Sequence, residues 1–160
     1  MEIRQYTKDD LPVMTEIWNE VVEEANAFPQ SETLSLPEAE AFFTGQSYTG
    51  VAEDEDGQVI GLYILHPNNV GRCGHIANAS YAVKNGIRGT GIGKALVRDC
   101  LQKGRELGFR ILQFNAVVAT NAAAIHLYEE LGFDRLGTVK GGYRLANGQF
   151  EDIILFYIEL

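Results

Sequence analysis

The sequence predicts an α/β fold in one domain, and three observations carry that prediction. Strand-patterned and helix-patterned runs alternate along the 160 residues, without an internal repeat or a low-complexity linker. The apolar run Ile76 to Val83 reads as a strand and passes directly into glycines at alternate positions and then into a helical period. Arg110 to Val118 is a second apolar strand, as expected where helices cover both faces of a sheet.

Glu2 to Tyr6 alternates and forms a short first strand. Thr7 and Asp10 are placed as a capping pair for a helix running to about Glu24, with Leu11, Met14, Ile17, Trp18, Val21 and Val22 on its apolar face. Ala27 to Thr33 breaks that pattern as a loop, and Ser35 with Glu38 repeats the capping signature ahead of Ala39, Phe42 and Phe43. Strands Tyr48 to Glu53 and Val59 to Leu65 are joined by Asp54-Glu55-Asp56-Gly57, a hairpin turn whose acidic residues lack the spacing of a calcium loop. After the loop Pro67 to Arg72 come the central strand, the glycine loop and a helix ending near Leu107-Gly108. Asn121 then caps a helix with Ala124, Ile125, Tyr128 and Leu131 on its inner face, ended by Gly132. Phe133 to Val139 and Phe150 to Ile158 are the last strands, linked by a turn-rich piece containing Gly141-Gly142 and Asn147-Gly148.

Composition excludes several function classes. The net charge of -9 and pI near 4.8 argue against nucleic acid and anionic membranes, which rely on clustered Lys and Arg. The start of the chain has no signal-peptide stretch, so a cytoplasmic location is expected. Cys73 and Cys100 have no metal-ligand spacing and are expected to be free thiols, Cys100 as core filling; no metal site is expected.

The glycine loop is the chemical centre. A helix N-terminus leaves backbone N–H groups unpaired and carries partial positive charge, so a loop without side chains above it suits a phosphate. A P-loop needs glycine where Arg88 stands and Ser or Thr where Ala95 stands, and the dinucleotide fingerprint needs glycine where Lys94 stands, so both fail.

Arg88-Gly89-Thr90-Gly91-Ile92-Gly93 does resemble the pyrophosphate loop of the GNAT superfamily of acyl-CoA-dependent N-acetyltransferases. A second stretch, Asn121-x-x-Ala124-Ile125-x-Leu127-Tyr128-Glu129-x-Leu131-Gly132-Phe133, resembles that superfamily's other cofactor motif, and the element order resembles its whole fold. The resemblance implies a single-domain GNAT fold over residues 1–160, with a mixed, mostly antiparallel sheet, a splayed central strand pair and helices on both faces. It implies acetyl-CoA as cosubstrate, bound by Val83, Arg88, Gly89, Thr90, Gly91, Ile92, Gly93, Lys94 and Asn121, with Asn121 touching the pantetheine or only capping its helix. Direct attack by an amine then needs an acid for the departing thiolate. Tyr128 is that candidate, because a phenol near pKa 10 holds its proton at neutral pH and a thiol near 8.5 accepts it.

Relatives often carry a glutamate on the strand before the loop, whereas His75-Ile76-Ala77-Asn78-Ala79-Ser80-Tyr81-Ala82-Val83 has no carboxylate, and the base stays unassigned. His75, Asn78 and Asn115 are the polar residues that could face a substrate or serve the protein alone. The expected acceptor is a small, amino-acid-like amine, with Val22 to Phe43 supplying Phe28, Phe42 and Phe43 as walls and Lys140, Tyr143 and Arg144 meeting a carboxylate. That second segment resembles the corresponding part of the phosphinothricin and azetidine-carboxylate acetyltransferases. Acetylation of a protein or peptide, and a non-catalytic acyl-CoA-binding module, are the competing functions; a homodimer is an assembly the resemblance allows.

Overall fold

The computed structural model describes residues 1–160. In chain order the elements are β1 (Glu2–Gln5), α1 (Leu11–Glu24), α2 (Leu36–Thr44), β2 (Tyr48–Glu53), β3 (Val59–Pro67), β4 (Ile76–Val83), α3 (Ile92–Glu106), β5 (Ile111–Val118), α4 (Ala122–Glu130), β6 (Asp134–Arg144) and β7 (Phe150–Glu159). The seven strands form one sheet in the order β1-β2-β3-β4-β5-β7-β6. Every neighbouring pair is antiparallel except β4 and β5, which α3 joins as a crossover between parallel strands.

Each face of the sheet carries its own core. On one face Leu96, Val97 and Cys100 of α3 pack with Tyr63, Leu65, Ala77, Leu112, Phe114 and Phe156. On the other, Met14, Ile17, Trp18 and Val21 of α1 pack with Val51, Leu62 and Ile64. Alternate residues of β3 thus serve opposite cores, which is why that strand reads as apolar throughout. Full burial of one such Leu or Ile contributes about 1.5–3 kcal/mol. No helix is long and apolar enough to cross a membrane. Cys73 and Cys100 are both free, and burial pushes the Cys100 thiol up to about 12, so it behaves as packing.

Two elements depart from the sequence expectation. The first helix does not start at Thr7: Lys8–Asp10 make a single 3-10 turn, and the α-helix begins at Leu11, with Pro12 in the first turn where no N–H is needed. Gly141-Gly142 does not form a turn; it lies in a bulge of β6, where Gly141 N donates to Asp152 Oδ1 at 3.0 Å. The reversal comes later, at Leu145–Gly148.

Asp10 closes the capping pair and does more. Its carboxylate accepts from Thr7 N at 2.7 Å and from both terminal nitrogens of Arg4 at 2.7 and 3.0 Å, while Arg4 Nε donates to Glu53 at 2.7 Å. Three elements are tied at one guanidinium. These bonds from Arg4 hold the Asp10 carboxyl below the usual carboxylate range against the opposing effect of burial. Arg4→Met should therefore cost about 2 kcal/mol at neutral pH, since it strands a mostly buried carboxylate. A carboxyl with a depressed folded pKa contributes stability above its unfolded value, near 3.9, and loses it as pH falls through the folded value. Denaturant titrations of parent and variant should accordingly differ above about pH 5 and converge as pH falls through the depressed folded value of Asp10. A constant difference across that range would remove the ion pair as the cause.

Candidate active site

The cleft begins where β4 and β5 stop pairing. They are in register only at Ile76↔Ile111 and Ala77↔Leu112, and the strands diverge beyond. Lys84 N donates to Ile60 O and Asn68 N to Ile76 O, so the even-numbered residues of β4 address β3. The peptide groups of Ala79, Tyr81 and Val83 therefore face the gap. This is the splayed pair that the sequence resemblance implied.

At the open end lies a cleft of about 800 Å³ lined by Val83, Arg88, Gly89, Gly91, Gly93 and Lys94 on one side and Thr120 to Ala124, His126 and Leu127 on the other. The chain turns through Gly89 at φ +82° and Gly91 at φ +88°, a left-handed backbone that side chains disfavour, and a Cβ at either position would meet nothing within 4 Å. Gly91 is the N-cap of α3, so the unpaired N–H groups of the first turn open into this cleft. Thr90 Oγ1 donates to Ile87 O at 2.7 Å and fastens the loop from behind. Arg88 is held by Glu24 at 2.7 Å and Lys94 pairs with Glu130. Ile92, by contrast, is buried in the core, so only its backbone faces the cleft.

The donor set fits a pyrophosphate: free backbone N–H groups, two cations at the rim, and no side chain over the glycines. Asn121 caps α4 through Oδ1, which accepts from Ala124 N at 3.2 Å, and also lines the cleft.

A chamber of about 400 Å³ continues from the cleft into the splay and shares Ala27, Tyr81, Asn121, Ala124 and Leu127 with it. Its walls are Phe28, Pro29, Phe114, Val117 and Tyr128, its polar lining is Asn78, Ser80, Asn115 and Asn121, and no charged side chain enters it. Tyr128 packs against Phe114 with the rings tilted and 4.5 Å between their centres, and also touches Phe133 and Phe156. Burial, with Cys100 nearby, raises its pKa above the ordinary phenol value, so the proton stays on. Its hydroxyl makes no hydrogen bond within the protein, although the ring lines the chamber.

Asn78 and Asn115 are brought together. Their Nδ2 groups both donate to Asn68 Oδ1, bridging β4 and β5 just past their last paired residues. Sequence reasoning missed Asn68, which only the strand pairing carries to that point.

The structure places several of the named residues away from the chamber. His75 precedes β4 at its closed end, where its carbonyl accepts from Arg110 N at 3.0 Å, and it lines a separate recess with Arg105 and Glu159. The direction of β4 puts it at the far end from the chamber. Val83 lines the cleft and turns its carbonyl to the gap, where Arg88 Nε donates to it at 3.1 Å, and the neighbouring peptide groups of Ala79 and Tyr81 face the gap beside it. Of the three phenylalanines, only Phe28 reaches the chamber; Phe43 is buried and Phe42 packs on Trp18 at 5.1 Å. Lys140 is exposed, Arg144 lines another recess with Glu23 and Ser31, and the Tyr143 hydroxyl donates to Phe28 O at 2.6 Å instead of facing a ligand.

The family model described as Acetyltransferase (GNAT) family matches residues 13–133. The chain is similar to an N-acetyltransferase of Schizosaccharomyces pombe, at 32% identity over 84% of this chain and 72% of that one. It is similar to an L-methionine sulfoximine/L-methionine sulfone acetyltransferase of Pseudomonas paraeruginosa, at 29% identity over 84% of this chain and 81% of that one. Among solved structures, a phosphinothricin acetyltransferase from Sinorhizobium meliloti in complex with acetyl-CoA superposes with a TM-score of 0.92, 26% identity, 99% coverage of this chain and 88% of that one. A ribosomal-protein-alanine N-acetyltransferase from Brucella melitensis does so with a TM-score of 0.92, 28% identity and complete coverage of both chains, at 100% each.

Proposed function

The chain belongs to the acetyltransferase (GNAT) family, and from that premise we propose that residues 1–160 form one catalytic domain that acetylates the amine of a small, amino-acid-like molecule. It is an N-acetyltransferase with acetyl-CoA as cosubstrate. In our reading the N–H groups at Gly89 to Lys94 hold the pyrophosphate, Arg88 and Lys94 add charge at the rim, and Asn121 shapes the channel while capping α4. The odd-numbered peptide groups of β4 meet the pantetheine arm and thioester, and Tyr128 donates its proton to the leaving sulfur. Acetyl-CoA supplies the activated acyl carbon; the protein supplies alignment, an N–H for the carbonyl oxygen and a held proton.

The observation that carries the small-molecule reading is the chamber of about 400 Å³ roofed by Phe28 and Pro29 beside Tyr128. A space of that size suits one small acceptor, and its Asn78 and Asn115 amides can bind polar side-chain oxygens. The relative that acetylates methionine sulfoximine and sulfone, together with the phosphinothricin acetyltransferase, supports an amino-acid analogue. The alanine-acetylating structural neighbour favours a second reading, a protein N-terminus. A kinetic panel decides between them: L-methionine sulfone, L-methionine sulfoximine, phosphinothricin, free amino acids, polyamines and peptides beginning with alanine. The best free amine should exceed every peptide in kcat/KM. A peptide ahead of every free amine by about tenfold would overturn the small-molecule reading.

A further inference from the structure

Phe28 and Pro29 belong to a connection with almost no internal support. Between α1 and α2 the segment leaves the helix at Ala25, in left-handed conformation at φ +52°, and is caught again only at Leu34. There Asn19 of α1 donates to Leu34 O and accepts from Leu34 N, both at 2.9 Å. From Asn26 to Thr33 a single hydrogen bond reaches the segment, and it comes from a residue far along the chain: Tyr143 Oη donates to Phe28 O at 2.6 Å. Tyr143 is 8% exposed and Phe28 6%, and the Phe28 ring lies on Trp18 with centres 4.3 Å apart.

The donor is set from the opposite edge of the sheet. Tyr143 pairs with Glu151 just after the bulge of β6, whose Gly141 N is held by Asp152 Oδ1. The same Asp152 accepts, through its backbone carbonyl, from Ala119 N at the end of β5, so the bulge is registered against the strand that lines the chamber. Burial raises the Tyr143 pKa, which keeps the donor protonated.

We propose that Tyr143 is a specificity-determining positioning residue, which through its bond to Phe28 O fixes the Ala27–Pro29 wall of the chamber and so the size of amine the enzyme accepts. This rests on the chamber being the acceptor site. Tyr143 lines neither the cleft nor the chamber. Without its hydroxyl the ring still fills its place, but the wall loses its only polar anchor and can move outward by the slack between Ala25 and Leu34. Discrimination by a chamber of this kind is a matter of single methylenes, about 10-fold or more each, so a small displacement has a large consequence for selectivity. The glycine loop and the start of α4, which form most of the pyrophosphate cleft, lie outside this segment, which contributes only Asn26 and Ala27 there, so acetyl-CoA binding should change little.

The test is Tyr143→Phe in the full chain, with two readouts. With L-methionine sulfone and a bulkier free amine, L-phenylalanine, the KM of the sulfone should rise about fivefold or more and the preference between the amines should narrow, while the KM of acetyl-CoA stays within about twofold. Without amine, water replaces it as acceptor: its oxygen bonds to the acetyl carbon, the C–S bond breaks, and acetate and the CoA thiol are released. That background hydrolysis, followed by free thiol, should increase about threefold or more as the wall loosens. Equal changes in both substrates' KM, or none in either readout, would overturn the proposal. Should the parent acetylate no free amine of the kinetic panel, the small-molecule reading fails while the hydrolysis measurement still decides the role of Tyr143. Asn19→Ala, which frees the segment's other end, keeps the question answerable if Tyr143→Phe is too unstable: it should loosen the same wall and raise hydrolysis likewise, and no rise would count against the proposal.

Discussion

Tyr128→Phe is expected to lower turnover by about 10²- to 10⁴-fold while changing acetyl-CoA affinity little. The expectation follows from what the substitution leaves alone. The ring keeps its contacts with Phe114, Phe133 and Phe156, and the removed hydroxyl has no partner in the protein, so folding stability should change by less than about 1 kcal/mol. What disappears is one proton facing the chamber. A departing thiolate with no acid nearby must leave as an anion in a lining with no charged side chain, where charge is poorly solvated. Because burial raises the Tyr128 pKa, its proton is retained throughout the neutral and mildly alkaline range. Any alkaline fall in kcat below about pH 10 should therefore have another origin and persist in the variant's residual activity. Single-turnover kinetics give the chemical step directly, and an unchanged rate there would return Tyr128 to the aromatic core.

Much of this was legible in the sequence because it depends on neighbours along the chain. The loop Arg88 to Gly93 needs only a strand before it and a helix after it, and Asn121 caps α4 through Ala124, three residues on. Helices α1, α3 and α4 show their faces by period alone. What was not legible depends on pairing between distant segments. The misplacement of His75 is of this kind: a strand's sequence does not say at which end its neighbour departs. Nor does it say which parity of β4 faces the gap, and that parity brings forward Ala79 and Tyr81 as backbone groups.

The remaining differences have the same physical root. Gly141-Gly142 carries a turn signal, yet its neighbours on β7 capture it as a bulge, since glycine serves either geometry and the partner strand decides. Tyr143 looked like a ligand for a carboxylate because it is polar and lies in a late loop-like segment. Its acceptor, 115 residues away, exists only in the folded chain. Asn68 likewise acquires a role only because β4 and β5 bring Asn78 and Asn115 to it. The absence of a carboxylate from β4, plain in the sequence, has its structural counterpart in a chamber lined by amide and hydroxyl side chains with no carboxylate among them.

Gly91→Val should abolish the thermal stabilisation that acetyl-CoA gives the parent, which at about 100 times Kd corresponds to about 2.7 kcal/mol. Two effects act at Gly91 and they can be separated. Its φ of +88° is strained for any β-branched residue, which lowers the variant's own stability by about 1–3 kcal/mol. A Cβ there would touch nothing in the protein, so its methyl groups project into the free space in front of the α3 N–H groups that the pyrophosphate needs. Gly108 supplies the matched control: its φ is +89°, it too has nothing within 4 Å of a Cβ, and it lies beyond the other end of α3. Gly108→Val should pay a similar strain and still gain the full acetyl-CoA shift. Scanning calorimetry of the three proteins, each with and without acetyl-CoA, therefore isolates the site from the strain. Equal ligand shifts in the two variants would show that the glycine loop does not hold the pyrophosphate.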